Sequence, residues 1–251
     1  MILKKWENIP DSIKNEKTKK YYDILNSKKI TLFLKRLFDI IFSTLLLILL
    51  LPILVILGIA IKIDSKGPIF YRQERITQYG KPFKIFKFRT MIVNADKMGA
   101  LVTTKNDSRI TRVGNIIRKC RLDEIPQLIN ILIGDMTFVG TRPEVKKYVD
   151  RYTDEMKATL LMPAGVTSIA SIKYKDEDEI ISKYVKLNED VDDIYINRVL
   201  PEKMKYNINY LEKFTILQDM LICIQTVNEV LKRRNTTELT SKKQNIKEKV
   251  N

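Results

Sequence analysis

The most pronounced feature of the hydrophobic pattern is a run of 22 residues, Ile40 to Ile61, without a charged side chain. A helix of this length is long enough to cross a hydrocarbon layer of about 30 Å. Pro52 lies near its middle, and a proline removes a backbone donor and clashes with the carbonyl four residues earlier. The pattern therefore predicts a membrane-associated protein with two apolar half-helices and a break at Pro52.

The charges on the two sides of this run bear on its topology. Residues 1–36 carry ten Lys and Arg against four Asp and Glu, and residues 62–90 carry eight against two. Positive flanks stay on the cytoplasmic side, and a single span would have to translocate one of them. We therefore favour a re-entrant helix-break-helix that enters and leaves on the cytoplasmic face, with a kinked through-span as the alternative.

Two stretches after the apolar run alternate between apolar and basic residues. They are Pro68–Arg75 and Pro82–Met91, and the polar segment Thr77–Lys81 joins them. Alternation around a short polar link predicts a β-hairpin. Its basic face is either solvated or directed at phosphate groups at the lipid boundary.

The segment IIRKCRLDEIPQLINILIG combines a basic start, an acidic pair and an amphipathic run. Asp123 and Glu124 lie where a helix cap is expected, Pro126 falls in the first turn and Gly134 follows the last. The segment therefore predicts a helix from about Glu124 to Ile133. The positive end of a helix favours ionised carboxylates. A helix cap requires only one acid, so the presence of two indicates a functional role for the pair.

The rest of the chain gives weaker signals. Residues 206–230 have helical apolar spacing, which predicts an amphipathic helix that packs on the domain or lies at the membrane interface. The acidic cluster Asp176–Glu179 lacks the ligand spacing of a metal site and is interpreted as a solvated surface. We predict an α+β fold in four parts: a basic N-terminal extension (1–34), the membrane helix (35–64), a small, mainly helical domain with the hairpin (65–231), and a basic disordered tail (232–251).

The amino-acid composition limits which side chains are available for catalysis. The 251 residues include 45 Lys and Arg against 30 Asp and Glu, a formal net charge of +15, and no histidine. Without imidazole, Ser-His and Cys-His nucleophile pairs, His general bases and His-bearing zinc sites are excluded. Any proton transfer or nucleophilic attack must therefore be carried out by carboxylates, Lys, Tyr or Cys. Cys120 and Cys223 lack the short spacing of a redox or metal motif and indicate a reducing compartment.

Several segments together resemble the bacterial monotopic phosphoglycosyl transferases, the sugar transferases that start glycoconjugate assembly. Besides the apolar run with Pro52, they are GPIFYRQER (Gly67–Arg75), KFRTM (Lys87–Met91), RLDEIPQL (Arg121–Leu128) and GDMTFVGTRPE (Gly134–Glu144). The match runs from about Lys35 to the neighbourhood of Val230. Because the motifs occur in the order typical of the family, the resemblance is specific.

The resemblance implies an enzyme that transfers a sugar 1-phosphate from a UDP-sugar to a polyprenol phosphate, such as undecaprenyl phosphate, and releases UMP. This is the first membrane step of glycoconjugate or polysaccharide biosynthesis. The resemblance also implies a monotopic protein in contact with lipid on the cytoplasmic face of a bacterial inner membrane. It leaves the oligomeric state open, with a homodimer as one form.

By the same resemblance, Asp123 is the covalent nucleophile and Glu124 helps to hold Mg²⁺, so that the two carboxylates form the metal site. A carboxylate that attacks phosphorus gives an acyl phosphate and divides the transfer into two steps. Mg²⁺ offsets the repulsion between an anionic nucleophile and an anionic diphosphate. This chemistry needs no histidine.

Four cations are expected to bind substrate phosphates. Arg118 and Arg142 match family positions, and an arginine can grip phosphate in a bidentate fork. Lys87 and Arg89 belong to the KFR stretch and are expected near the acceptor phosphate. Plain surface charge is the other interpretation of each of these residues.

Two other functions are compatible with the sequence. A membrane-tethered basic module that binds anionic lipid or nucleic acid fits the net charge of +15, although no nucleic-acid recognition motif is present and we expect no such partner. A transferase that passes on the sugar alone would release the nucleoside diphosphate. Product analysis separates these functions from the favoured one.

Overall fold

The computed structural model describes residues 3–95, 107–174 and 190–229, together with Glu177, Ile181 and Tyr184. Within these ranges the chain is mainly helical and forms three short two-stranded sheets. This confirms the predicted mixture of helices and short strands. The predicted tail 232–251 and the acidic cluster 176–179, apart from Glu177, lie outside the described residues.

The N-terminal segment forms part of the hydrophobic core. Helix α1 (Glu16–Ser27) begins after Asn15, whose side chain accepts a hydrogen bond from the Thr18 amide at 2.8 Å. This bond satisfies one of the unpaired amides of the first helical turn. The buried face of α1, which includes Tyr21 and Leu25, joins a large apolar cluster of the domain. The N-terminal extension is therefore embedded in the domain by one face of its helix.

Helix α2 (Lys29–Asp64) is 36 residues long and continues through Pro52 without interruption. At 1.5 Å per residue it is about 54 Å long. The predicted break into two half-helices is therefore corrected. The physical reason is packing before and after the proline: Leu50 contacts one apolar cluster of the domain, and Leu54 contacts another. These contacts hold the helical backbone although an internal proline costs about 3 kcal/mol.

The two faces of α2 have different surroundings. One face packs on the domain and buries side chains at helical spacing, among them Leu32, Asp39 and Ile61. The other face exposes a series of large apolar side chains, which include Ile41, Leu45, Ile48 and Ile56. Within the described chain, α2 is the one helix long and apolar enough to cross a membrane. An exposed apolar surface of this extent is consistent with membrane association.

The predicted β-hairpin is present in the structure. Its antiparallel pairs are β1 (Phe70–Tyr71) with β4 (Lys87–Phe88) and β2 (Glu74–Ile76) with β3 (Pro82–Lys84). Between the two pairs, the Ile85 amide donates to the Gln73 carbonyl at 3.0 Å, so one register runs through the whole hairpin. Because opposite residues share a face, Gln73 and Arg75 lie on the same face as Lys87.

Two helices flank the acidic pair. Helix α3 (Arg112–Lys119) is followed by a 3-10 turn (Leu122–Glu124) and by helix α4 (Gln127–Ile133). The predicted end at Gly134 is confirmed, since Gly134 adopts a left-handed conformation with φ 98°, which suits glycine. The predicted start at Glu124 is about three residues early, because the acidic pair occupies a separate turn before the helix.

The remaining elements complete the domain. Strands β5 (Met136–Val139) and β6 (Ala164–Thr167) are parallel neighbours. The other helical elements are a 3-10 turn (Trp6–Asn8), α5 (Lys146–Val149), a 3-10 turn (Met156–Leu161), α6 (Ile169–Lys173), α7 (Val191–Ile194), a π turn (Tyr195–Val199), α8 (Leu200–Lys213) and α9 (216–229). The single helix predicted over residues 206–230 is thus two helices. The chain leaves the helical conformation at Phe214, whose side chain is fully buried.

Candidate active site

The acidic pair, Asp123 and Glu124, lies on a turn that is fixed from both sides. Arg121 precedes it in a left-handed conformation (φ 56°), which redirects the chain after α3. Leu122 packs against the apolar cluster that contains Phe88. The turn therefore holds the two carboxylates beside strand β4 of the hairpin.

Two cations hold the Glu124 carboxylate. Arg142 donates from Nη2 to Oε1 at 2.6 Å and from Nη1 to Oε2 at 3.5 Å, and Lys87 donates from Nζ to Oε1 at 3.3 Å. Burial alone would raise the pKa of Glu124, but the attraction of Arg142 and Lys87 outweighs it and holds the pKa well below its usual range. Glu124 is therefore an ionised and fixed carboxylate.

Asp123 has different surroundings, although it is the next residue. Within the described chain, no hydrogen bond to its carboxylate is formed. Burial and then the negative charge of Glu124 raise the pKa of Asp123, whereas Lys87, Arg118 and Arg121 act in the opposite direction. The Asp123 oxygens are thus available to a bound group, and the net effect of these surroundings is to raise the pKa of this carboxyl.

Arg142 is presented by a turn that the β5–β6 pair supports. The Gly140 amide donates to the Thr167 carbonyl at 3.0 Å, and the Gly165 amide donates to the Thr141 carbonyl at 2.8 Å. The two backbones approach so closely that a Cβ added to Gly165 would lie 2.1 Å from the Gly140 nitrogen. Glycine is required here, and the pairing fixes the residue immediately before Arg142.

Arg75 is a further cation near the site that the sequence analysis missed. Its Nη1 donates to the Pro143 carbonyl at 3.2 Å, and its Nη2 donates to Gln73 Oε1 at 2.6 Å. Burial lowers the pKa of Arg75, and the positive charge of Arg142 lowers it further. The signal that could have found this residue is the hairpin register, which places Arg75 on the face of Lys87.

Arg118 and Arg121 lie at the edge of the site. Arg118 is in the last turn of α3, and its charge reaches Asp123 without a direct hydrogen bond in the described chain. Arg121 acts on both carboxylates in the same way and was not predicted as a site residue. The structure thus brings Arg118 close to the pair, at a greater distance than Arg142 and Lys87.

Arg89 does not join the acidic pair. Its Nη1 donates to the Lys66 carbonyl at 2.8 Å and its Nη2 donates to the Ser65 carbonyl at 2.7 Å, at the end of α2. A guanidinium is stabilised there because the last carbonyls of a helix lack partners and carry partial negative charge. Gly67 (φ 129°) makes room, since an added Cβ would lie 1.9 Å from Nη1. The structure therefore does not bring Arg89 to the acidic pair; its bonds fasten the hairpin to the end of α2.

A comparison with protein families decides the assignment. The family model described as bacterial sugar transferase matches residues 30–233. The chain belongs to the bacterial sugar transferase family. This confirms the family that the motifs indicated.

This bacterial sugar transferase is similar in sequence to several transferases of other bacteria. It is 35% identical over 202 residues to the UDP-glucose:undecaprenyl-phosphate glucose-1-phosphate transferase of Klebsiella pneumoniae, an alignment that covers 79% of this chain and 40% of that protein. It is 32% identical over 202 residues to the UDP-N-acetylgalactosamine-undecaprenyl-phosphate N-acetylgalactosaminephosphotransferase of Aeromonas hydrophila, over 79% of this chain and 44% of that protein. A UDP-glucose:undecaprenyl-phosphate glucose-1-phosphate transferase of Caulobacter vibrioides is 32% identical over 204 residues, 80% of this chain and 71% of that protein. The chain spans less than half the length of the first two relatives.

The acidic pair of this sugar transferase fits a Mg²⁺ ion that is held jointly with phosphate oxygens. Mg²⁺ prefers oxygen ligands and is usually bound by one or two carboxylates together with substrate phosphates. Asp123 and Glu124 supply that number of carboxylates at one place. Within the described residues, no group of three or more acidic, Cys or His side chains forms a metal cage. The described residues therefore supply two carboxylates for Mg²⁺, and a bound group would have to supply the other oxygen ligands.

Proposed function

We propose that this sugar transferase moves a sugar 1-phosphate from a UDP-sugar to undecaprenyl phosphate and releases UMP. The observation that carries the proposal is the division of roles within the acidic pair. Glu124 is held by Arg142 and Lys87, whereas Asp123 has no hydrogen-bond partner in the described chain. Covalent phosphoryl transfer needs one such available carboxylate. The names of the relatives from Klebsiella and Aeromonas support the same class of donor and acceptor.

The proposed reaction has two steps. In the first, an Asp123 oxygen attacks the β-phosphorus of the donor, the bond from this phosphorus to the bridging oxygen breaks, and UMP leaves with that oxygen. The product is an acyl phosphate that carries the sugar. In the second, a phosphate oxygen of undecaprenyl phosphate attacks the same phosphorus and releases the Asp123 carboxylate. Neither step requires a proton transfer, which suits a chain without histidine.

The neighbouring cations would bind and orient the donor. Arg142 and Lys87 contact the carboxylate of Glu124, which is the kind of group that a phosphate oxygen can replace. Arg118 would assist from the side of Asp123. When bound, Mg²⁺ neutralises diphosphate charge, and Asp123 and Glu124 are the residues that would hold it.

We also infer monotopic attachment to the cytoplasmic face of the inner membrane. The support is that one domain contacts both ends of α2. Near its start, Lys35 Nζ donates to Asp219 Oδ2 at 2.5 Å, and near its end the Val113 amide donates to Asp64 Oδ2 at 3.0 Å. A helix that crossed the bilayer would separate these contacts by about 30 Å of hydrocarbon. The exposed face of α2 would lie in the membrane surface, and both ends of the helix would stay on the positively charged, cytoplasmic side.

Product analysis with purified protein tests the reaction. UDP-sugars, Mg²⁺ and undecaprenyl phosphate should give UMP, and a radiolabelled donor without acceptor should leave labelled protein. Asp123→Asn should abolish both signals because an amide cannot attack phosphorus. The control is Asp150→Asn, an exposed carboxylate paired with Lys146, which should leave both signals unchanged.

The other functions give other outcomes in the same assay. Release of UDP would indicate transfer of the sugar alone, and binding without any nucleotide release would indicate a lipid-binding module. Labelled protein that persists in Asp123→Asn would assign the nucleophile to another residue. Light scattering of the solubilised protein addresses the homodimer, which has twice the mass of the monomer.

A further inference from the structure

Helix α9 (216–229) has three sides with three different surroundings. Asp219 and Ile222 are buried against the domain, and Gln225 lies on a polar, exposed side. The third side exposes five large apolar residues at spacings of one, three or four residues: Leu217, Met220, Leu221, Ile224 and Val227, which are 46–67% exposed. Such spacing places them in one stripe. We call these five residues the α9 stripe. A stripe of this size exceeds the scattered exposed apolar residues of an ordinary soluble surface.

The α9 stripe adjoins the exposed face of α2. The buried ion pair between Lys35 and Asp219, whose side chains are 2% and 9% exposed, joins the two helices. Met220 of the stripe and Phe38 of α2 line the same small cavity. Beyond Phe38, α2 exposes its long apolar face. The apolar surface of α9 is therefore continuous with the surface that is proposed to enter the membrane.

We propose that α9 is a second membrane-contacting element and that the α9 stripe lies against the acyl chains of anionic phospholipid just below the headgroups. A lipid layer covers the stripe and the adjoining face of α2 at once. The next segment supports this occupant, since residues 231–251 carry seven Lys and Arg against two Glu. Cations near an anionic membrane add electrostatic attraction to it. A helix at the boundary of lipid, water and protein needs one apolar side, one polar side and one side that packs on the domain, and α9 has all three.

A second contact has a mechanical consequence for the domain. A single helix in the membrane surface leaves a domain able to roll about the helix axis. With α9 held in the same layer, two elements define a plane and the roll is prevented. This inference depends on the membrane attachment proposed above and is independent of the proposed reaction.

Fluorescence in lipid bilayers tests the contact. Leu217→Cys, Leu221→Cys and Ile224→Cys, each in a Cys120→Ser, Cys223→Ala background, are labelled with the environment-sensitive dye NBD. Gln225→Cys on the polar side is the matched control. The proteins are placed in vesicles of phosphatidylethanolamine and phosphatidylglycerol, with or without nitroxide-labelled acyl chains. The three stripe positions should emit at shorter wavelength and be quenched about twofold more by the nitroxide lipid than position 225.

Two results would overturn the inference. Water-like emission without selective quenching at the stripe positions would mean that the stripe is not in contact with lipid. Emission shifted to shorter wavelength without quenching would mean that a second protein copy covers the stripe. Thermal melting by circular dichroism checks that each labelled protein is folded. UMP release is measured separately, so a failure of the proposed reaction would leave the quenching result intact.

Discussion

Among single residues, Glu124 shows how the site is organised before any substrate binds. Arg142 and Lys87 converge on one of its oxygens, at 2.6 Å and 3.3 Å. Their positions are therefore set in advance, as in sites where charged groups are preorganised for a reaction. Asp123, one residue earlier, stays without a bonded partner in the described chain. Neighbouring residues of the same chemical type thus have different roles because of their partners.

Arg142→Lys should lower kcat/KM for UMP release about 10- to 100-fold, or about 1.4–2.7 kcal/mol. A lysine keeps the charge but loses the planar fork that contacts both oxygens of Glu124. The measurement is the initial rate of UMP release at several donor concentrations. Arg151→Lys, an exposed arginine, is the control and should change the rate less than twofold. Equal rates for both variants would show that the fork is not used.

Cys223 should react with iodoacetamide much more slowly than Cys120 near pH 8. Burial, followed by the charge of Asp219, raises the pKa of Cys223 to about 11, while Cys120 is exposed. Only the thiolate reacts, so alkylation of Cys223 should rise by about tenfold per pH unit until the pH approaches that pKa. Mass spectrometry of the peptides that contain Cys120 and Cys223 measures the two alkylation rates over a pH series. Rapid alkylation of Cys223 at pH 8 would contradict its partial burial against the core of the domain.

At the scale of elements, α2 joins the domain in two ways. Its first turns use buried polar contacts: Lys35 bonds to Asp219 and to the Val139 carbonyl, and Asp39 accepts from Thr137 at 2.8 Å. Its later turns use apolar packing beside the hairpin and α3. The polar contacts are specific in geometry because each buried group needs its partner. They fix which face of α2 is directed away from the domain.

Lys35→Met should destabilise the protein by about 3–5 kcal/mol, because it leaves the buried Asp219 carboxylate without its cation. The measurement is the thermal unfolding midpoint in detergent. Lys146→Met is the matched control: it removes one member of the exposed pair with Asp150, and such pairs contribute about 0–1 kcal/mol. Lys35→Met combined with Asp219→Asn should be less destabilised than Lys35→Met alone. Equal midpoints for the two single variants would contradict the role of the buried pair.

At the scale of the whole molecule, sequence reasoning succeeded where motifs are local. The motifs that contain Asp123 and Arg142 lie apart in the chain and the structure brings them together through the pair of Arg142 with Glu124, and alternation identified the hairpin. Arg89 was expected near the same phosphate as Lys87, two residues away, but the structure does not bring it to the acidic pair. β4 ends at Phe88, and Gly67 leaves room for Arg89 to bond to the end of α2. The core position of Leu25 was missed because its partners, such as Leu211, are about 190 residues away along the chain. Such pairings leave no local pattern.

The orientation of the molecule should be measurable by labelling in sealed vesicles. Cys120 follows α2 in the chain and is exposed, and Asp11→Cys in a Cys120→Ser background supplies an exposed thiol before it. Because one domain contacts both ends of α2, a membrane-impermeant maleimide should label both thiols from the same side. Detergent-opened vesicles give the full labelling in each case. Labelling from opposite sides would make α2 a true span.

The contribution of α1 to the core has a consequence for the order of events during synthesis. Tyr21 and Leu25 pack in the same cluster as Leu211 and Phe214, so this cluster closes only after the ribosome has made α8. The 36 residues of α2 emerge long before that, and domains fold as their segments become available during translation. With the proposed membrane attachment, α2 would therefore meet the lipid surface first, and the catalytic half would fold while the chain is already tethered there.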